Sequence, residues 1–111
     1  MNTKRRPALD TYVLDDQGNP VVEQDILRWS VWYGRAKNRL LKQDRVAPGV
    51  LVSSSFLGIH HSFIFRGRSH PILWETMVIG GPHDRYCQHY ATREEALAGH
   101  ASAVNIAKGG Q

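Results

Sequence analysis

Two runs rich in β-branched and aromatic residues, 50–59 and 72–79, limit what this chain can become more than any other feature. Each has the length and composition of a strand. Gly80-Gly81-Pro82 follows the second run and reads as a turn, so residues 84–90 return as a third strand. Gly-rich turns between neighbouring strands point to antiparallel pairing. Ser53, Ser54 and Ser55 sit in the middle of the first run without the glycines of a nucleophile elbow, and read as hydroxyls facing a sheet surface.

Upstream, Tyr12-Val13-Leu14 reads as a short strand, and residues 15–20 are dense in turn formers. The clearest helical period runs over residues 22–42. Ile26, Trp29, Tyr33, Ala36 and Leu40 are spaced 3, 4, 3, 4 and fall on one face. Gly34 lies inside this segment at a cost of about 1 kcal/mol relative to Ala, and Pro48-Gly49 closes it. Thr92 opens a second helix, because Thr92-Arg93-Glu94-Glu95 has the form of a capping box. Leu97, Ala101 and Val104 supply its expected apolar face, and Gly109-Gly110 ends it.

These elements predict a compact α+β domain: a small antiparallel sheet of three to four strands with two helices packed on one face. The other sheet face would lack cover, which points to a homodimer. Residues 1–10, with Lys4, Arg5 and Arg6, are expected to be a flexible basic tail, and 11–111 a single domain. A chain of 111 residues is one domain's worth. With 41% hydrophobic and 22% charged residues it is globular rather than disordered.

Fourteen basic against ten acidic residues give a net charge of +4, a modest field that favours anionic partners. One cysteine, Cys87, excludes an internal disulfide and a multi-cysteine zinc site. No apolar run approaches the ~20 residues of a membrane span, and no signal-peptide core follows the basic N-terminus. The expectation is a soluble, intracellular protein.

Within 22–42 a second stripe, Arg28, Trp32, Arg35, Arg39 and Lys42, is spaced 4, 3, 4, 3 on a neighbouring face. Guanidinium groups hold phosphates with paired hydrogen bonds, and an indole stacks on a base. A solvated outer face of an amphipathic helix has the same pattern. Arg66 and Arg68, flanking Gly67, form a second candidate anion site in the connection between the two strongest strands, or simply an exposed polar loop.

Glu75 interrupts the apolar run 72–79. By alternation it shares a face with Leu73, Met77 and Ile79, opposite Trp74, Thr76 and Val78. On the core face it would be a buried carboxylate needing a partner; otherwise it pairs with an arginine or lies on the open face. Of the six histidines, His89 shares a strand face with Cys87, while His100 reads as buried in the second helix. No HExxH or paired CxxC occurs, so neither metal nor cofactor is expected, and no catalytic set can be assembled by spacing.

Several segments resemble a family of small proteins from tailed bacteriophages and prophages. They are Leu27-Arg28-Trp29, Val52-Ser53 through Phe56-Leu57-Gly58-Ile59, Trp74-Glu75-Thr76-Met77-Val78, Gly80-Gly81, and Tyr90 through Glu95, Ala96, Gly99 and His100. The resemblance covers roughly residues 12–104. Family members typically carry LG-[IL]-D-H-x-F, whereas here His60 stands at the aspartate position, so any ionic or metal-binding task of that aspartate is altered. The stretch Ile64-Phe65-Arg66-Gly67-Arg68 is more apolar and basic than the family's Gly/Pro-rich loop.

The resemblance implies a setting in the host bacterial cytoplasm and an accessory, anti-defence role. The expectation is therefore a non-enzymatic phage protein binding an anionic ligand, most concretely a nucleotide immune signal, through Arg28, Trp32, Arg35, Arg39, Arg66, Arg68 and Glu75. The alternatives are a protein–protein inhibitor of a host defence complex and a nucleic-acid binder, whose affinity would fall steeply with salt.

Overall fold

The computed structural model describes residues 9–61 and 71–109. Its elements, in order, are β1 (Leu9–Leu14), β2 (Pro20–Val22), α1 (Ile26–Tyr33), α2 (Ala36–Arg39), β3 (Leu40–Ala47), β4 (Val50–Phe56), β5 (Ile59–His61), β6 (Trp74–Ile79), β7 (Cys87–Tyr90) and α3 (Arg93–Ala107). The domain is α+β, as the sequence predicts. A four-stranded antiparallel sheet has the order β3-β4-β6-β7, and a three-stranded one the order β2-β1-β5. Of the expected tail, residues 1–8 lie outside the described residues. Leu9 and Asp10 belong to β1, where they pair with His61 and His60.

The strand alternation decides the core. Val50, Val52, Ser54 and Phe56 of β4, and Trp74, Thr76 and Val78 of β6, are buried under α3. Leu51, Ser53, Ser55, Glu75 and Met77 are half-buried on the opposite face, with Ile79 exposed. Among the described elements, α3 packs on the covered side, and Ala36, Lys37 and Arg39 of α2 border the opposite face at Ser53 and Ser55. The α3 capping box is present in full: Thr92 Oγ1 accepts from the Glu95 amide, while Glu95 Oε1 accepts from the Ala91 and Thr92 amides. Its fully buried residues are Ala96, His100 and Ala103; of the expected Leu97, Ala101 and Val104, only Val104 packs against the core, half-buried, while Leu97 and Ala101 are exposed. Gly99 is pressed so closely on Tyr90 that an added Cβ would lie 2.0 Å from the phenol oxygen. Ala96, Gly99 and Ala103 therefore let α3 settle onto the sheet around the buried His100 ring.

The expected helix over 22–42 does not form. Its first residue belongs to β2, α1 ends at Tyr33, Arg35 is extended, and residues 40–47 are strand. Two local bonds stop the helix: Arg35 N–H and Asn38 Nδ2 both donate to the Trp32 carbonyl. The larger reason is tertiary. β4 needs a partner on the side away from β6, and residues 40–47 supply its ladder with bulges after Leu40 and Arg45. The helical period thus survives in α1 and α2, is broken between them, and is ended at Leu40 by long-range pairing. Ile26, expected on a buried face, is 56% exposed. Trp32 instead reaches the covered side of the sheet and packs edge-on against Phe56, ring centroids 5.8 Å apart.

Gly58 joins the two sheets. At φ +75° it takes a left-handed turn, and its missing side chain lets the Tyr33 ring and the Tyr12 carbonyl approach. Gly80, at φ +88°, turns β6 toward β7; a Cβ there would lie 1.9 Å from the Gly49 carbonyl oxygen.

Candidate functional site

Breaking the long helix disperses the expected basic stripe. Arg28, on α1, is 76% exposed, with its Nε 3.9 Å from the N-cap Asp25. Arg35 caps α2 in an extended conformation and is exposed. Trp32 is half-buried, with its ring edge-on to Phe56 and packed against the core. Lys42 is in β3, opposite Ser54. Arg28, Trp32 and Arg35 do not line the cleft that Arg39 borders. Arg66 and Arg68 lie outside the described residues.

Arg39 is held differently from the others. Its Nε donates to the Tyr33 carbonyl at 2.8 Å, and its guanidinium carbon sits 4.3 Å from the Tyr33 ring centroid. Tyr33 in turn stacks on Trp29, centroids 4.6 Å apart, and Trp29 Nε1 donates to the Tyr12 carbonyl. The aromatic–guanidinium combination expected around Trp32 thus exists around Tyr33. Cation–π contact and one hydrogen bond fix the plane of the guanidinium. Its two terminal nitrogens have no partner among the described residues. They border a cleft of about 420 Å³ lined also by Lys37, Gln43, Ser53 and Ser55. Gln43 Nε2 donates to Ser53 Oγ at 3.2 Å, which leaves the Ser55 hydroxyl nearest the helix side as a further donor.

This cleft lies on the open face of the four-stranded sheet. The register continues that face from Ser55 to Glu75 to His89, and from Ser53 to Met77 to Cys87. Of the alternatives for Glu75, the core, an arginine partner or the open face, the structure takes the open face, while Arg66 and Arg68 lie outside the described residues. Glu75 Oε2 is 3.1 Å from His89 Nε2 and accepts from Cys87 Sγ at 3.3 Å. Burial, reinforced by the hydrogen bond and charge of Glu75, pushes the Cys87 thiol up to about 11.

The covered face holds a second polar cluster, which sequence spacing did not assemble. His100 Nε2 is 2.7 Å from Asp44 Oδ2, and Nδ1 is 2.6 Å from Ser54 Oγ. Ser54 hydrogen-bonds Thr76, and Thr76 hydrogen-bonds the Tyr90 phenol, which burial holds above its usual range. Five elements are stitched together by this chain: β3, α3, β4, β6 and β7. A carboxylate only accepts, so Nε2 carries a proton, and in the neutral ring Nδ1 accepts from Ser54. The groups are those of a hydrolytic triad, but their placement is unsuited to attack. Ser54 is 0% exposed. A cleft of about 510 Å³ beside this cluster is lined by Asp44 and His100, with Lys42, Arg45 and Lys108, and does not reach Ser54. Ser54, expected on a sheet surface with its neighbours, is instead a core hydroxyl. The readable signal was His100, which the helical pattern places inward and which must find partners there.

No helix among the described residues is long and apolar enough to cross a membrane. No family model, no curated protein and no solved structure matches the chain.

Proposed function

We propose that this chain is a non-enzymatic phage or prophage accessory protein that captures an anionic, nucleotide-type ligand on the open face of its four-stranded sheet. In this reading it acts in the host bacterial cytoplasm, where capture withholds an immune signal, and a second copy covers the open face. The phage setting comes from the motif resemblance over residues 12–104.

One observation carries the ligand class. The Arg39 guanidinium is immobilised by the Tyr33 carbonyl and ring, yet keeps its terminal nitrogens for another partner, beside Lys37 and the hydroxyls of Ser53 and Ser55. A guanidinium whose plane is fixed in advance loses little freedom when it grips two phosphate oxygens. The net charge of +4 adds a long-range attraction of the same sign.

The test is a thermal-melting panel of cyclic and linear nucleotides against the purified chain. A ligand at a hundred times its Kd stabilises by about 2.7 kcal/mol, a Tm rise of roughly 10 °C or more for a domain of this size. Arg39→Ala should abolish the rise. Light scattering with and without the active nucleotide reads the homodimer. No rise with any nucleotide at high micromolar concentration overturns the proposal; a rise that survives Arg39→Ala overturns the site.

A further inference from the structure

We propose that Glu75, Cys87 and His89 form a binding site for a single tetrahedral divalent transition metal of the zinc class, with the fourth position open to water or an exogenous ligand. This inference is independent of the nucleotide reading.

The donors converge before any ion arrives. Glu75 Oε2, Cys87 Sγ and His89 Nε2 all lie within 4.8 Å of one another. Zinc bonds to sulfur at about 2.3 Å and to imidazole nitrogen or carboxylate oxygen at about 2.0–2.2 Å. In a tetrahedron those lengths separate sulfur from oxygen by about 3.6 Å and nitrogen from oxygen by about 3.4 Å. The observed separations are 3.3 and 3.1 Å. The thiol proton now sits where a cation would sit, and metal binding releases it from Sγ to solvent. Opening the cluster by a few tenths of an ångström is within side-chain rotation.

The scaffold makes the arrangement rigid. Glu75 is on β6, one strand in from the edge, directly opposite His89 on β7. Cys87 is two residues from His89 and therefore on the same face. Three donors from two paired strands need no loop to close on the ion. In the single chain the site is also reachable, since the side chains of Glu75 and His89 are 23% and 38% exposed. The donor set decides the class. A thiolate and an imidazole disfavour magnesium and calcium, which take oxygen ligands, and one carboxylate with them suits zinc or cobalt. Three protein ligands and an open fourth position are the pattern of zinc sites that bind a further ligand rather than of closed structural ones.

Cobalt(II) titration of the full purified chain under reducing conditions tests this. One equivalent should develop a thiolate-to-cobalt charge-transfer absorption together with the intense visible bands of tetrahedral cobalt, and zinc should displace it stoichiometrically. Cys87→Ser should remove the charge-transfer absorption. His89→Gln and Glu75→Gln should each weaken binding by tenfold or more. Circular dichroism and Tm of the metal-free variants should match the parent, because none of the three side chains is in the core. Absence of the charge-transfer absorption overturns the site. So does a spectrum unaltered by Cys87→Ser, or an affinity unaltered by both other variants, since binding would then reside on other histidines or carboxylates.

Discussion

On the covered face of the β3-β4-β6-β7 sheet a carboxylate–imidazole pair, Asp44 and His100, meets Ser54 in the core. On the open face a second pair, Glu75 and His89, meets Cys87 near solvent. The chemistry is nearly the same, and burial separates the two. Under α3 the His100 ring and the Ser54 and Thr76 hydroxyls are enclosed and must be matched, because an unmatched buried donor or acceptor costs about 1–3 kcal/mol, while the Asp44 carboxylate that meets His100 reaches the surface. Such a chain fixes how helix and strands sit together. On the open side the same groups remain accessible, so an ion or anion can exchange with the contacts they make to one another. Residue type alone therefore does not mark a site; enclosure decides whether a polar cluster serves packing or recognition.

The largest expected effect breaks the covered cluster. His100→Ala removes a buried ring and orphans Ser54, and should destabilise by about 3 kcal/mol, lowering Tm by more than roughly 10 °C. His89→Ala, its open-face counterpart, should change stability by less than about 0.5 kcal/mol. Equal Tm values for the two variants would erase the distinction between the faces. Next, Gly99→Ala drives a methyl into the Tyr90 ring at the end of the same chain and should cost about 1–3 kcal/mol by thermal or urea melting.

Smaller effects sharpen the open face. Arg39→Ala should remove nucleotide-induced stabilisation, whereas Arg28→Ala and Arg35→Ala, both exposed and away from the cleft, should leave it unchanged in the same melting assay. The Cys87 thiol should alkylate slowly at neutral pH, with a rate inflection near pH 11 rather than at the ordinary thiol value near 9. The sign follows from the causes: burial and the Glu75 carboxylate both favour the protonated thiol, so reactivity appears only as pH rises. Glu75→Gln removes the charge and should speed alkylation at pH 9, read by mass spectrometry of the labelled chain.

The strand character of β4 and β6, the turn at Gly80-Gly81, the α3 capping box and the inward His100 were all legible, because each depends on neighbours within a few residues. Cys87 and His89 could be put on one face for the same reason. The arrival of Glu75 between them could not, since it depends on how β6 registers on β7. Nor could the fate of the basic stripe. Arg28, Trp32, Arg35 and Arg39 keep helical spacing through a segment that breaks between α1 and α2 and whose last residues, from Leu40 on, pair with β4.

By itself, then, the amino-acid order determined local conformation: that β4 and β6 extend, where β6 turns back, how the last helix starts and that His100 faces inward. Only the tertiary structure decided that residues 40–47 are a strand, that Tyr33 rather than Trp32 carries the guanidinium, and that Glu75 faces Cys87 and His89. The reason is physical. Local preferences amount to a few tenths of a kcal/mol per residue, and completing a sheet edge over a buried core outweighs them while setting which distant side chains meet.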